Sequence, residues 1–559
     1  MATGVLGIAL SGLAAAQAGI STAQHNIANV NTAGYRRQEV GFQAQTAGYY
    51  GTAFFGSGVG VSTVRSLYSQ FQDSQVLLNQ TQLSSSEAYA KQASRVDLML
   101  SDSNSGLTGA LDAFFSATQT VASDPTSDAA RQVMLSSARN LVSRFNNLSD
   151  SLNGIRSDSN IEIASTVSTI NIHTGQIANL NGKIAGFEAG TGQPANDLRD
   201  QRDQLVADLN KLVNVTTVQQ DDGAYNLYIG SGQPLVVGSS VTQMSVSTDP
   251  DNPAFNVPAL NLIGGVTLRL DASLVSGGSL GGLLAAREAV LQPAMQDLDR
   301  LALSFAAEFN RLHQAGFDLD GVAGGNFFSD IAILSQNLQP AARTGNTGTL
   351  SISATLNDAT QLAAGDYELS YDGVNYTLTR MADGVSASDP SLAAVTTLGG
   401  VAQGFTLNLG AGTPNAGDSW LLRPSQGAAG LIGLAPGMTD PDRIAASSSS
   451  TDGPGNNQNA LLLAGLQTAT TSVGGGDSFN SAYAKAVART ATLASGADIS
   501  VAAYSLMTSQ SIQLQQSVSG VNLDEEAVNL IRFQQAYQAS ARALSVATSL
   551  FEELIGVLR

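Results

Sequence analysis

Residues 522–558, NLDEEAVNLIRFQQAYQASARALSVATSLFEELIGVL, carry a large apolar side chain at every seventh position: Leu523, Leu530, Tyr537, Leu544, Phe551 and Leu558. Phe533, Ala547 and Leu554 follow three residues after members of that series. The period is that of a helix whose one seam faces another helix. Asn522, with Glu525 three residues on, reads as an N-cap with a capping box, and the acids at 524–526 suit the positive end of the helix dipole. Gly520 marks the break before it. A helix of this length with so narrow an apolar stripe is marginal alone and predicts a partner.

The other end of the chain offers one. Leu6, Leu13, Ile20 and Ile27 again recur every seven residues, and Ala9, Ala16, Ala23 and Val30 lie three later. One large and one small flank allow a second helix to come close. From Met1 to Tyr35 there is no Asp, Glu, Lys or Arg. An uncharged polar face of this kind suits burial between subunits, or equally the wall of a channel that chains of either charge must pass. A secretory leader needs a basic start, and here the first basic residue is Arg36, so the segment is expected to be mature structure. No apolar run of ~20 residues is evident, and no membrane insertion is expected.

Between the ends the period alternates. Leu141, Phe145, Leu148, Leu152 and Ile155 form one helical stripe, and Ile163, Ile170, Ile177 and Ile184 another; helices are also expected over about 285–314 and 479–518. Residues from about 213 to 270 and from about 340 to 425 alternate as strands, with turns at Asp222-Gly223 and at 230–232. The expectation is an α+β multidomain chain: long terminal coiled-coil-like helices, a helical bundle with a strand-rich part, and an inserted β domain. The boundaries predicted are 1–35 with 521–559, 36–335 with 440–520, and 336–439. Both chain ends then share one helical stem.

The composition narrows the function. A net charge of −19, with lysine only at 91, 183, 211 and 485, argues against a nucleic-acid or anionic-membrane surface. Charged residues make up 13% of the chain, about half the usual share, so much of the surface is suited to facing protein. With no cysteine there are no disulfides, thiol catalysis or cysteine zinc sites. His25, His173 and His313 are far apart and no HExxH motif exists, so each reads as structural, His313 as an organiser of the turn at 316–321. Asp318-Leu319-Asp320-Gly321 hints at a calcium loop, but Ser329 stands where the twelfth-position Glu belongs, and a plain turn is preferred. No catalytic, cofactor or metal set emerges, and no enzyme activity is expected.

The stretch from His25 to Tyr35 resembles the signature of the axial proteins of the bacterial flagellum, the rod, hook and hook-associated proteins. Asn26, Ile27, Ala28, Asn29, Asn31, Thr32, Gly34 and Tyr35 carry the match; His25 stands where relatives usually have Asn. Physically, Asn and Thr end a helix by competing for backbone hydrogen bonds, and Gly34 permits the turn. Gly58, Val59, Arg65, Tyr68 and Phe71 resemble the segment that follows the signature in axial proteins, while residues 196–203, 310–328 and 440–463, and the tail at 531–542, are similar to segments of the hook-associated protein 1 family. The resemblance implies a secreted, extracellular structural subunit at the hook–filament junction, exported unfolded by the flagellar type III system. It implies a homo-oligomeric ring, hook protein and hook-associated protein 3 as neighbours, and a cytosolic export chaperone on the C-terminal helix. Subunit packing would fall to the two heptad series, including Phe533 and Leu554. A hook or rod protein is the alternative, and a flagellar peptidoglycan hydrolase a distant one.

Overall fold

The computed structural model describes residues 2–46, 48–50, 53–102, 106–250, 252–262, 264–470, 473–474 and 476–557. Helix α1 (Ala2–Ala28) runs into a long antiparallel hairpin, Gln38–Ala44 with Val59–Ser66, that leans back along it; Val59 N–H donates to Ser11 Oγ at 3.2 Å. Helices α2 (Gln70–Ser101), α3 (Thr108–Ser123), α4 (Asp128–Thr191) and α5 (Asn196–Leu212) follow. The two stripes expected as separate helices lie on α4 alone. Its 64 residues extend about 96 Å. No Pro interrupts it, and Ser127 caps its start by accepting from Ala130 N–H.

A four-stranded antiparallel sheet (Val215–Val241) and a three-stranded one (Met244–Arg269) cover the far half of α4. Then come α6 (Gly278–Ala286), a π-helical turn at Arg287–Leu291, and α7 (Gln292–Gln314). After the short α8 (Ile331–Leu334) the chain enters the strands of the insert. Their five-stranded sheet has the order 341–342, 419–422, 367–371, 376–380, 386–389, so the first and last segments pair with each other. A separate ribbon joins 352–356 to 405–409, and α9 (Leu392–Val395) packs against the sheet. Short α10 (Ala428–Leu431) and α11 (Gln458–Gly465) return to the bundle, and α12 (Phe479–Ser519) and α13 (Leu523–Val557) complete it.

Helix α2 is antiparallel to both α4 and α12. Lys91 meets Glu162 and Arg95 meets Asp158 on one side, and Asp73 meets Gln515 and Leu100 meets Tyr483 on the other. The bundle's densest point is a set of fully buried rings: Phe114, Phe115, Phe145, Phe305, Phe309, Phe327, Phe328 and Phe479. Phe305–Phe328 and Phe309–Phe327 approach to 5.0 and 4.9 Å between centroids. The Asn310 amide holds the segment of Phe327 and Phe328: its oxygen accepts from both N–H groups and its nitrogen donates to Phe328 O and Ser329 O.

Three expectations change. Gly4–Ala28 does reach the length and apolarity of a membrane span, because its alanines add hydropathy to that of its Leu, Ile and Val without large side chains; its alanine face lies instead against α13. Asn522 caps α13 by accepting from Asp524 N–H, but Glu525 does not close a capping box, since Arg37 takes its carboxylate at 2.7 Å. Leu523, Tyr537 and Phe551 are exposed in the single chain, while Leu530, Phe533 and Leu544 are half-buried against α1. Leu558 lies outside the described residues, as does the side chain of Leu554.

The Asp318 loop is a turn held by its own carboxylate, which accepts from Asp320 and Val322 N–H. His313 is buried beside it. Its Nδ1 bonds Gly325 O at 2.8 Å, and its Nε2 accepts from Ala445 N–H at 3.0 Å, which fixes a neutral ring. Burial pushes its pKa down to about 4. The unfolded chain then binds a proton at this site between pH 6.5 and 4 that the folded chain refuses. The stabilisation is complete above pH 6.5 and lost as pH falls towards 4, about 3 kcal/mol at most. His313→Ala should lower the thermal midpoint at pH 7.5 and lose less stability than the parent between pH 6.5 and 4 in chemical denaturation; parallel pH profiles would refute the assignment.

Candidate functional site: the joint between the terminal pair and the bundle

Helix α1 ends on its own side chains. Asn29 Nδ2 donates back to His25 O, Thr32 Oγ1 donates to Asn29 Oδ1, and Tyr35 N–H reaches Thr32 O. Gly34 has φ +77°, and a Cβ there would meet Gln204 Oε1 of α5 at 2.8 Å. The positive φ favours glycine at this position, and a side chain there would also have to displace Gln204. Ala28 and Asn31 face outwards.

Asn26 is the centre. It is 1% exposed, and its amide makes its full complement of bonds. Nδ2 donates to Gln38 O at 2.9 Å and to Glu526 at 3.0 Å; Oδ1 accepts from Gln38 N–H at 2.9 Å and from the Tyr35 hydroxyl at 2.7 Å. One side chain therefore ties the end of α1, the loop, the hairpin and the start of α13. Burial and the charges of Asp197, Asp200 and Glu526 push the Tyr35 pKa well up, so its hydroxyl stays a donor.

The chain then extends through Arg36 and Arg37, and successive side chains of an extended segment point opposite ways. Arg36 enters the bundle. It pairs with Asp73 of α2 at 2.9 Å and with Asp203 of α5, and its N–H donates to Asp200 at 3.0 Å. Arg37 enters the turn between α12 and α13, where it holds Glu525 at 2.7 Å and Glu526 at 2.8 Å and its N–H donates to Ser519 O.

Helix α5 supplies the receiving face. Asp197, Asp200 and Asp203 recur at three-residue spacing and face the joint; Gln38 and His25 contact Asp197. Arg199 and Arg202 anchor the same helix behind: Arg199 on Glu188 of α4, and Arg202 on Gly223 O and the Tyr225 ring, 3.4 Å from its centroid. Burial, reinforced by its acidic neighbours and opposed by Arg36, raises the Asp200 pKa to about 6. A cleft of about 1250 Å³ opens between the loop, α2, α5 and the α12–α13 turn. Among the described residues no group of three or more His, Asp or Glu is arranged to hold a metal.

The structure brings most of the motif residues into one joint, and sets part of the heptad series along the α1–α13 seam that leads away from it, with Leu523, Tyr537 and Phe551 left exposed. There Leu6, Leu13, Ile20 and Ile27 are half-buried. Gly19 lies against the Phe533 ring, where a Cβ would come within 2.6 Å, and Gly12 against Ser540. Sequence reasoning missed Arg36, Arg37, Asp73 and Gln204. The signal available was that the first charges after a charge-free stretch are two adjacent arginines.

Three family models match separate parts of the chain. "Flagellar hook-associated protein FlgK helical domain" matches residues 93–328, "Flagellar hook-associated protein 1, D2-like domain" residues 341–424, and "Flagellar basal body rod FlgEFG protein C-terminal" residues 514–557. Flagellar hook-associated protein 1 of Escherichia coli (strain K12) is 38% identical over 558 residues, covering 98% of both chains. Its Salmonella typhimurium counterpart is 36% identical over 98% of this chain and 99% of its own, and that of Bacillus subtilis 25% identical over 97% and 96%. Among solved structures, the flagellar hook junction protein FlgK from Burkholderia pseudomallei superposes with a TM-score of 0.72 at 28% identity, covering 80% of this chain and 100% of that one. The chain belongs to the flagellar hook-associated protein 1 family, and is a structural component of the bacterial flagellum.

Proposed function

We propose that the chain is a subunit of the extracellular junction between hook and filament, exported unfolded by the flagellar type III system and assembled through α1 and α13. One observation carries this reading. The terminal pair exposes a quantity of apolar surface that a free monomer rarely keeps: Val5, Ile8 and Leu10 on α1, and Val528, Ile531, Val546, Leu550 and Phe551 on α13, each 42% exposed or more. Tyr537 and Leu523 add to the same helix. A ring of copies would cover these faces, with hook protein on one side and hook-associated protein 3 on the other. Before export, a cytosolic chaperone would cover α13. The reading involves no catalysis.

The same reading divides the chain into a terminal pair (1–35 with 521–559), a bundle (36–335 with 440–520) and an insert (336–439). Pairing of 341–342 with 419–422 supports a detachable insert, because its two ends leave the bundle side by side. The return segment is bundle-bound: Asp299 of α7 accepts from Gly427 and Ala429 N–H, and Asn146 of α4 donates to Ala429 O and Ile432 O. Excision is therefore best placed within 341–424.

Two measurements test the proposal. Truncation after Gly520 should leave a soluble folded bundle that fails to join filament to purified hooks; capping of hooks by the truncated chain would refute assembly through α13. Asn26→Ala strips partners from four buried groups and should cost the joint about 2–4 kcal/mol. Hydrogen exchange should quicken at 25–38 and 519–530 while α4 and α7 stay protected. Unchanged exchange at the joint would show that Asn26 does not hold it.

A further inference from the structure

The apolar interior of the bundle is two bodies. Leu141 to Ile155 of α4 belong with α3, Leu291 and α7, whereas Ile163 to Ile184 belong with the sheets and Leu280–Leu284 of α6. Helix α2 passes from one to the other between Ala88 and Ala93. At that level the contacts turn polar. Lys91 and Gln92 bond Glu162 at 2.8 and 3.2 Å, and Arg95 bonds Asp158 at 2.5 Å. The Asn160 amide bridges to Ala254 O and Asn256 N–H.

Arg287 lies across the same level, 7% exposed, and donates to Asn256 O at 2.6 Å. It and Arg156 both contact the buried Phe255 ring, at 5.1 and 5.9 Å from its centroid. Here, too, the helix that continues from α6 into α7 departs from α geometry: Arg287–Leu291 is a π turn, closed by Gln292 N–H on Arg287 O. A π turn holds one residue more than the α-helix around it, and it loosens the ladder where it occurs. Half-exposed ion pairs and arginine–ring contacts tolerate sliding, whereas interdigitated apolar side chains do not.

We propose that this waist is a built-in bending point, about which the two cores move as separate bodies while α2 and α4 carry the strain across. It rests on geometry within one chain and stands whether or not the junction reading does.

The chain has no cysteine, so spin labels can be placed freely in the full-length monomer. Leu98→Cys with Ile172→Cys spans the waist, and Leu98→Cys with Val133→Cys stays beside the first core; all three positions are more than half exposed. The distance distribution across the waist should be broader than the one beside the core, and equal widths would overturn the proposal. Amides of 286–292 should exchange at least tenfold faster than those of 301–309, and equal protection would also overturn it. Deleting exposed Ala289 removes the extra residue of the π turn and should narrow the spanning distribution. If that variant does not fold, Lys91→Leu with Glu162→Leu replaces polar sliding by apolar packing and should narrow it instead. An unchanged width in whichever variant folds sinks the idea.

Discussion

The amide of Asn26 meets a constraint that bears on everything else in the molecule: the two ends of a 559-residue chain must arrive at one place and stay in register. Helices α1 and α13 are individually weak, with narrow seams and many exposed apolar side chains. Their pairing needs an anchor that apolar contact alone does not define, because a heptad seam can slip by a turn at small cost. A buried amide with four partners cannot slip without stranding polar groups in a dry environment. Arg37 repeats the constraint with charge, holding Glu525 and Glu526 at the first turn of α13.

The same strand of chain ties the pair to the bundle. Because Arg36 and Arg37 are adjacent in an extended segment, one guanidinium faces α2 and α5 and the next faces α13. Three elements thus take their mutual position from two neighbouring residues. Asp73, Asp200 and Asp203 surround Arg36, and burial, with a smaller push from Asp203 and Asp197, raises the Asp200 pKa to about 6 against the pull of Arg36. Arg199 and Arg202 keep α5 from being pushed away by holding its other side to α4 and to the sheet.

Helix α4 distributes that arrangement along the molecule. It is the wall of both apolar bodies, and the polar level between them coincides with the π turn and with the Phe255 contacts. The phenylalanine cluster gives the first body its rigidity, and Asn310 and His313 secure the loops that cover it. Asp299 and Asn146 do the same for the return from the insert. The recurring device is a single polar side chain that bonds backbone groups of another segment.

Periodicity was enough to read the two terminal helices, the stripes of α4, helices α7 and α12 and the two strand-rich parts, since apolar spacing of seven or two is a local property of the chain; it did not reveal the hairpin of 38–44 with 59–66 or helices α2, α3 and α5. Leu530, Phe533 and Leu544, and the alanines of α1, fall on the seam that their spacing implies. The turn at Gly34 was legible as well, because Asn, Thr and Gly act on the backbone beside them. Local reasoning could not see that the stripes at 141–155 and 163–184 share one helix, as a polar interval looks alike whether the helix stops or only changes partner. Nor could it see that Glu525 abandons its capping box, or that Asn26 meets Glu526 across the chain. Those choices follow from the competition of distant donors for the same acceptor, and Arg37 outcompetes a backbone N–H only once α1 and α13 have been brought together.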